Sequence, residues 1–265
     1  LYNSFKRIIK TYYLILERSL IIILRSKFFI FTNFIFTILT GIFIGNIFSS
    51  QSIILQFNSS ILIMTLITTS IGLKTFGNDK IIIQYEIFSN INTFINCFAK
   101  YTAYFILEIF ICLTYSFSWL HTVQIRSSFT NIFLSFLLVI WTIGSLANFI
   151  SVIVDSKNSS QIAYSITVSL WVLNGINPTI NQLMNKFDST LIINLLTLIT
   201  PIDDILKICM IQELIIYPEL FNSYKNEIKE LYNINYNEIN KYKINLIFYG
   251  LFFKILTILV IIVKY

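Results

Sequence analysis

Residues 28–73 read FFIFTNFIFTILTGIFIGNIFSSQSIILQFNSSILIMTLITTSIGL, a run of 46 residues without a charged side chain, bounded by Lys27 and Lys74. A helix rising 1.5 Å per residue needs about 20 residues to cross a hydrocarbon layer of about 30 Å. The run therefore holds two crossings. Polar residues interrupt its apolar pattern from Ser49-Ser50-Gln51 to Asn58-Ser59-Ser60 and place the turn there. Spans are expected at about 28–48 and 59–76, the second with Lys74 at its inner edge.

Of the 265 residues, 56% are apolar and 12% charged, with a mean hydropathy of +0.75, against about 25% charge in soluble domains. A water-soluble globule is excluded. Seven glycines and three prolines leave no material for collagen, a Pro-rich linker or a phosphate-cradling glycine loop. A third span is expected at 101–120 and contains Glu108, and a fourth lies within the 28 charge-free residues 127–154. A fifth follows Asp155-Ser156-Lys157 and runs over 159–177, where Gly175 and Pro178 supply a helix stop. The sixth, at 244–263, contains Lys254. Residues 191–199 are too short to cross; with Thr200-Pro201 and a helix over 202–216 they read as a re-entrant or interfacial hairpin, followed by an external cap. The expected fold is an all-α membrane protein. Its parts are an amphipathic helix at 3–26, five spans within 28–176, an external region at 177–243 and a sixth span at 244–264.

Six basic residues and one acid, Glu17, occupy the first 27 positions, which puts the N-terminus in the cytoplasm by the positive-inside rule. Six spans return the C-terminus to the same side. Inner segments then hold eleven basic and four acidic residues, and outer loops seven and eight. The basicity reports topology and anionic headgroups of membrane lipid, not nucleic acid. Phe5, Ile8, Ile9, Tyr12, Tyr13, Leu16, Leu20, Ile23 and Leu24 recur at helical spacing, with Lys6, Arg7, Lys10, Glu17 and Arg18 largely opposite. This is an amphipathic helix on the inner membrane face, either an anchor or a connector that takes force from a soluble domain. The chain starts at Leu1 with no signal peptide pattern, and it is expected to be a piece of something longer.

Cys97, Cys112 and Cys209 are far apart and show no CxxC spacing, so they read as buried inert thiols rather than zinc ligands or a disulfide framework. His121 is the only histidine and reads as a loop residue, with no partner for a metal or a triad. Glu108 and Lys254 lie roughly 10 and 14 Å from the inner ends of their spans at helical rise. Unpaired, each costs several kcal/mol, and their similar depth suggests a buried ion pair between the third and sixth spans. Thr75-Phe76-Gly77-Asn78-Asp79-Lys80, with Gln84-Tyr85-Glu86, forms a polar cytoplasmic stretch that either docks a partner or is a solvated loop.

In order along the chain stand the amphipathic helix, Asn58, Thr75-Phe76-Gly77 leading to Asp79-Lys80 and Glu86, then Ala99-Lys100 and Gly144-Ser145. Thr200-Pro201 with Glu213 follows, and Gly250 lies four residues before Lys254. In this the whole chain resembles the transmembrane half of eukaryotic G-subfamily ABC transporters, including the plant and fungal branch. The resemblance implies a half-transporter, working as a homo- or heterodimer in the plasma membrane or an intracellular membrane. Its nucleotide-binding domain, with ATP and Mg, would lie N-terminal to this segment. The segment has no GxxxxGK[ST] loop and no Walker B pattern, so it is expected to carry no catalytic residue, metal or cofactor of its own. The resemblance also implies that the loop after the second span is a coupling helix, with Asp79, Lys80, Tyr85 and Glu86 at the nucleotide-binding domain and Glu86 contacting the connecting helix. Tyr85 stands where the family frequently has Arg or His. The substrate path it implies is lined by Met64, Ile67 and Thr68 on the second span and by Ala163, Ile166, Trp171, Leu173 and Asn174 on the fifth. Trp171 to Leu173 would form an outer plug. Ile67 occupies the place of an aromatic that stacks flat drugs in some members, which favours an aliphatic, lipid-like cargo.

The expected function is therefore that of a permease domain exporting a hydrophobic or lipid-like molecule. An ion-gradient-driven secondary transporter would need membrane acids, discontinuous helices and an internal repeat, and the chain offers one Glu and no evident repeat. A non-transporting lipid-binding scaffold remains the third reading. Asn58-Ser59-Ser60 and Asn158-Ser159-Ser160 are glycosylation sequons, of which only the first faces outward in this topology.

Overall fold

Ser26 alone separates the first two helices, α1 (Tyr2–Arg25) and α2 (Lys27–Phe48). Its backbone, at φ −78° and ψ 52°, leaves helical space. Its N–H still donates to the Ile23 carbonyl at 3.0 Å, and its hydroxyl to the same carbonyl at 2.6 Å, so the joint satisfies part of the last turn of α1. The chain is seen here in a computed structural model, which describes residues 2–49, 52–77, 80–89, 91–123, 125, 127–155, 157–173, 200–216 and 238–264.

Helix α1 buries Ile15, Ser19 and Ile23, and the Tyr12 hydroxyl donates to Thr102 Oγ1 at 3.0 Å on the helix beneath it. Ile8, Ile9, Tyr13, Leu14, Ile21 and Leu24 remain exposed beside Lys6, Arg7 and Lys10. A helix with one apolar stripe against protein and another left bare suits a headgroup layer. Helix α2 is mostly uncovered and buries only Thr37, Gly41 and Gly45. A Cβ on Gly41 would stand 2.1 Å from Ser118 Oγ, and one on Gly45 1.7 Å from Thr122 Oγ1. The small-xxx-small pair is what lets α2 lie against the next long helix but one.

Helix α3 (Ile53–Gly77) begins earlier than the spacing predicts. Asn58, Ser59 and Ser60 belong to its second turn and are buried, not part of the turn. The Ser59 and Ser60 hydroxyls donate to the Gln56 and Phe57 carbonyls at 3.0 and 2.8 Å, so each polar group is satisfied by its own helix. Short α4 (Lys80–Phe88) precedes α5 (Thr93–Leu120), which Asn92 caps by accepting from the Phe94 N–H at 3.0 Å. Next come α6 (Phe129–Ile153) and α7 (Ser159–Val172), then α8 (Pro201–Ile216) and α9 (Ile239–Lys264). His121 sits at the C-cap of α5, and all three cysteines are free and buried.

Among the described residues, five helices are long and apolar enough to cross a membrane: α2, α3, α5, α6 and α9. The described part of α7 has 14 residues, a rise of about 21 Å. The rest of the expected fifth span, the expected helix at 191–199 and most of the expected cap lie outside the described residues.

Helices α3 and α6 form the centre, where Phe57, Tyr115, Trp119 and Phe136 are almost wholly enclosed. Trp119 meets Phe57 and Phe136 with ring centroids 5.6 and 5.5 Å apart, a spacing that favours tilted and edge-on rings. Helix α8 is covered on nearly all sides: Ile202, Ile205, Leu206, Ile208, Cys209, Met210 and Ile211 are buried with Asp203, Lys207 and Glu213. At the inner end of α6, Lys80 Nζ donates to the Val154 carbonyl at 2.6 Å and Lys264 Nζ to the Val152 carbonyl at 3.1 Å. Two cations thus cap one helix C-terminus, the end that carries partial negative charge.

Candidate functional site

The end of the bundle expected to face the cytoplasm gathers three elements on one carboxylate. Glu86, on α4, is 6% exposed. Its Oε1 is ion-paired with the Arg18 guanidinium of α1, and its Oε2 accepts from Asn96 Nδ2 of α5 at 2.5 Å. The Glu86 carbonyl also accepts from the Ile91 N–H at 3.1 Å, closing the turn into α5. Tyr85 points away and is 69% exposed. Lys80, at the other end of α4, is held on α6; burial, with the Lys264 ammonium beside it, pulls Lys80 below the usual lysine range, and Asp155 opposes that pull. Asp79 lies outside the described residues. Helix α4 is thereby fixed to α1, α5 and α6 by polar contacts, a construction that transmits displacement more directly than an apolar seam. Sequence reasoning placed Glu86 but missed Arg18 and Asn96 as its partners.

A second feature is the open face of α3 between α2 and α7. Met64, Ile67 and Thr68 are enclosed within the protomer at 0, 3 and 1% exposure. Thr68 Cγ2 lies 3.3 Å from where a Cβ of Gly144 on α6 would stand. Ala163 is likewise buried; Ile166 is exposed, and Trp171 and Leu173 are half-buried. Asn174 lies outside the described residues. The stripe of α3 left open consists of Leu62, Ile63, Leu66, Ser70 and Lys74. One residue of phase turns a helix by about 100°, which is enough to exchange the inward and outward sets. The signal that could have found them is the four-residue spacing of Leu62, Leu66, Ser70 and Lys74.

Two hollows lie along this stripe. The outer one, about 320 Å³, is framed by Phe48, Leu55, Leu62, Ile63, Trp171 and Val172. Trp171 Nε1 donates to the Asn58 carbonyl at 3.2 Å, which fixes the indole at its wall. The inner one, about 440 Å³, is more polar and is framed by Thr32, Asn33, Ser70, Lys74, Ser160 and Tyr164 among others.

Glu108 and Lys254 do reach one small chamber, together with Tyr101, Phe105, Trp141 and Asn148. The direct ion pair expected from their depth does not form among the described residues. The Lys254 ammonium instead lies 3.4 Å from the Trp141 ring centroid, with the Tyr101 and Phe105 rings at 5.3 and 5.5 Å. Trp141 Nε1 donates to the Ile247 carbonyl at 3.1 Å, and Gly250 leaves the notch the indole fills, since a Cβ there would stand 2.2 Å from Nε1. A lysine partly stripped of water finds in aromatic faces much of what a carboxylate would give. The chamber's free volume is about 10 Å³, room for roughly one water between the two charges.

On the outer side, Glu213 Oε2 accepts from the Ser127 N–H at 2.9 Å and from the Ser127 hydroxyl. The carboxylate stands where the α6 dipole favours negative charge, and it ties the end of α8 to the start of α6.

Comparison with known proteins adds one match. The family model described as "ABC-2 type transporter" matches residues 10–199. No curated protein sequence matches the chain.

Proposed function

The chain belongs to the ABC-2 type transporter family, and from that premise we propose that it is the membrane half of an ATP-driven exporter for a hydrophobic or lipid-like substrate. Family membership makes it an integral membrane protein and a permease component of an ABC transporter. The finer reading is ours: a G-subfamily half-transporter of the plant and fungal kind, with six spans, a re-entrant hairpin containing α8, and both ends in the cytoplasm. A nucleotide-binding domain outside this segment would close on ATP and Mg, and a second half-transporter would complete the path.

The observation that carries the proposal is the Glu86 junction. A short cytoplasmic helix whose buried acid binds both the amphipathic helix and the start of α5 is built to move with whatever presses on it. Substrate then gains or loses affinity as the bundle changes state. The open face of α3 between α2 and α7, with Ile166 and Trp171 at its rim, is the part of the protomer best placed to line the path against a second copy.

The test is ATPase activity of the full-length transporter in lipid, with and without a hydrophobic substrate. Charge-assisted hydrogen bonds are worth about 1.5–3 kcal/mol, so Glu86→Gln and Arg18→Met are each expected to lower substrate-stimulated turnover by roughly tenfold or more. Stimulation that survives both substitutions would remove the junction from the coupling route.

A further inference from the structure

We propose that the groove between α2, α3 and α7 takes an amphiphile with an anionic head, the head at Lys74 and the tail reaching toward Trp171. This deepens, and rests on, the reading of that groove as the substrate path.

Lys74 lies at the inner end of the open α3 stripe, and its ammonium sits 3.3 Å from the Phe29 ring centroid of α2. Among the described residues no carboxylate lines the hollow around it. Among the described residues no acid forms an ion pair with it. The remaining polar wall is neutral: Thr32, Asn33 and Ser70 donate to carbonyls of their own helices at 2.8, 2.7 and 2.7 Å, and Ser160 and Tyr164 face the same hollow. The first turn of α7 opens onto the same hollow through Ser159 and Ser160, and Asn158 places no side-chain cap on that turn. A cation, the positive end of a helix and a neutral polar wall therefore meet where, among the described residues, no carboxylate lines the hollow. That is a site for a carboxylate, sulfate or phosphate.

Polarity changes along the groove. The outer hollow exposes far more apolar than polar wall and is framed by aliphatic and aromatic side chains, and Leu62, Leu66 and Ser70 bridge the two hollows one turn apart. From Lys74 to Asn58, where Trp171 is anchored, α3 rises about 24 Å. An extended fatty chain with its head on Lys74 lies along this length and ends beside the Trp171 indole. A lysine that only snorkels to the interface would select nothing, and the two cases differ in a measurable way.

The probe is 16-bromohexadecanoate, whose terminal bromine quenches indole fluorescence on contact, with its methyl ester as the uncharged twin. Each is titrated into the full-length transporter in nanodiscs, and the quenching lost in Trp171→Phe is assigned to Trp171. The acid is expected to quench saturably and to bind about tenfold more tightly than the ester, the worth of one charge-assisted contact. Lys74→Met should bring the acid to the ester's affinity, and Lys74→Arg should keep the difference. Retained ester quenching in Lys74→Met shows that the variant is folded. Ser160→Glu, which adds a like charge to the hollow, should weaken the acid and spare the ester. If acid and ester quench alike, or if these variants leave the acid unchanged, the anionic preference is overturned while the groove survives as the path. If neither probe quenches Trp171 beyond its dilution into bulk lipid, the groove is not occupied and both readings fail.

Discussion

Lys254 lies among aromatic rings rather than on a carboxylate, with Trp141 at 3.4 Å as its nearest face. Glu108 shares its chamber and is buried, and among the described residues that line the chamber it is the one carboxyl group beside Lys254. Deleting one charge of a buried pair costs about 3–5 kcal/mol, because the other is left uncompensated, whereas deleting both is often close to neutral. Lys254→Met is therefore expected to lower thermal stability by an amount of this order, and Glu108→Gln in the Lys254→Met background to recover most of it. A double-mutant cycle on unfolding midpoints in detergent measures the coupling. Additive losses would show that the rings alone hold Lys254. Both charges were legible in the sequence because each interrupts an apolar run. The rings were not, since Trp141 and Tyr101 come from two other stretches and are brought over Lys254 only by the way α5, α6 and α9 assemble.

Helix α8 shows what an enclosed amphipathic element does with its acids. Asp203 pairs with Lys207 at 2.6 Å one turn on, and the Lys207 ammonium also faces the Tyr242 ring at 5.6 Å. Asp204 has less help. Burial first, then the Asp203 charge, push its carboxyl up to about 6, against Lys207, Asn245 and Lys241, which favour the anion. A carboxyl whose folded value lies above its ordinary one binds more protons in the native state, so stability falls as pH rises from about 4 to about 6 and then levels. Asp204→Asn should flatten that slope and raise stability at neutral pH, read as unfolding midpoints between pH 4 and 8. An unchanged slope would exclude Asp204 as its source. The bounds of α8 were readable because Pro201 marks a helix start. The turn before α3 was misplaced because Ser and Asn look like loop residues until their hydroxyls fold back on their own helix, as Ser59 and Ser60 do. Which face of α3 its neighbours cover was not legible for a related reason: family spacing fixes a helix in sequence but does not say how it packs.

For the whole molecule, charge asymmetry predicts an orientation that can be measured directly. His121, at the outer end of α5 in that orientation, is exposed, and Tyr85 on α4 is 69% exposed. The native thiols are buried and give little background. His121→Cys should react with a membrane-impermeant maleimide on intact cells, and Tyr85→Cys only after permeabilisation. The reverse pattern would invert the topology and with it the assignment of α4 as the cytoplasmic contact. Long apolar runs made the bundle as a whole legible, whereas the Glu86 junction needed three distant segments, around Arg18, Glu86 and Asn96, to come together. The enclosure of α8 also bears on how such a chain is made. Its four charged residues, Asp203, Asp204, Lys207 and Glu213, make lipid a poor resting place, and one wall of its berth, α9, is synthesised after it. Until α9 is made, α8 lacks the helix that covers it on that side. A chain cut before α9 is therefore expected to leave one side of α8, apolar and charged residues together, uncovered and open to protease.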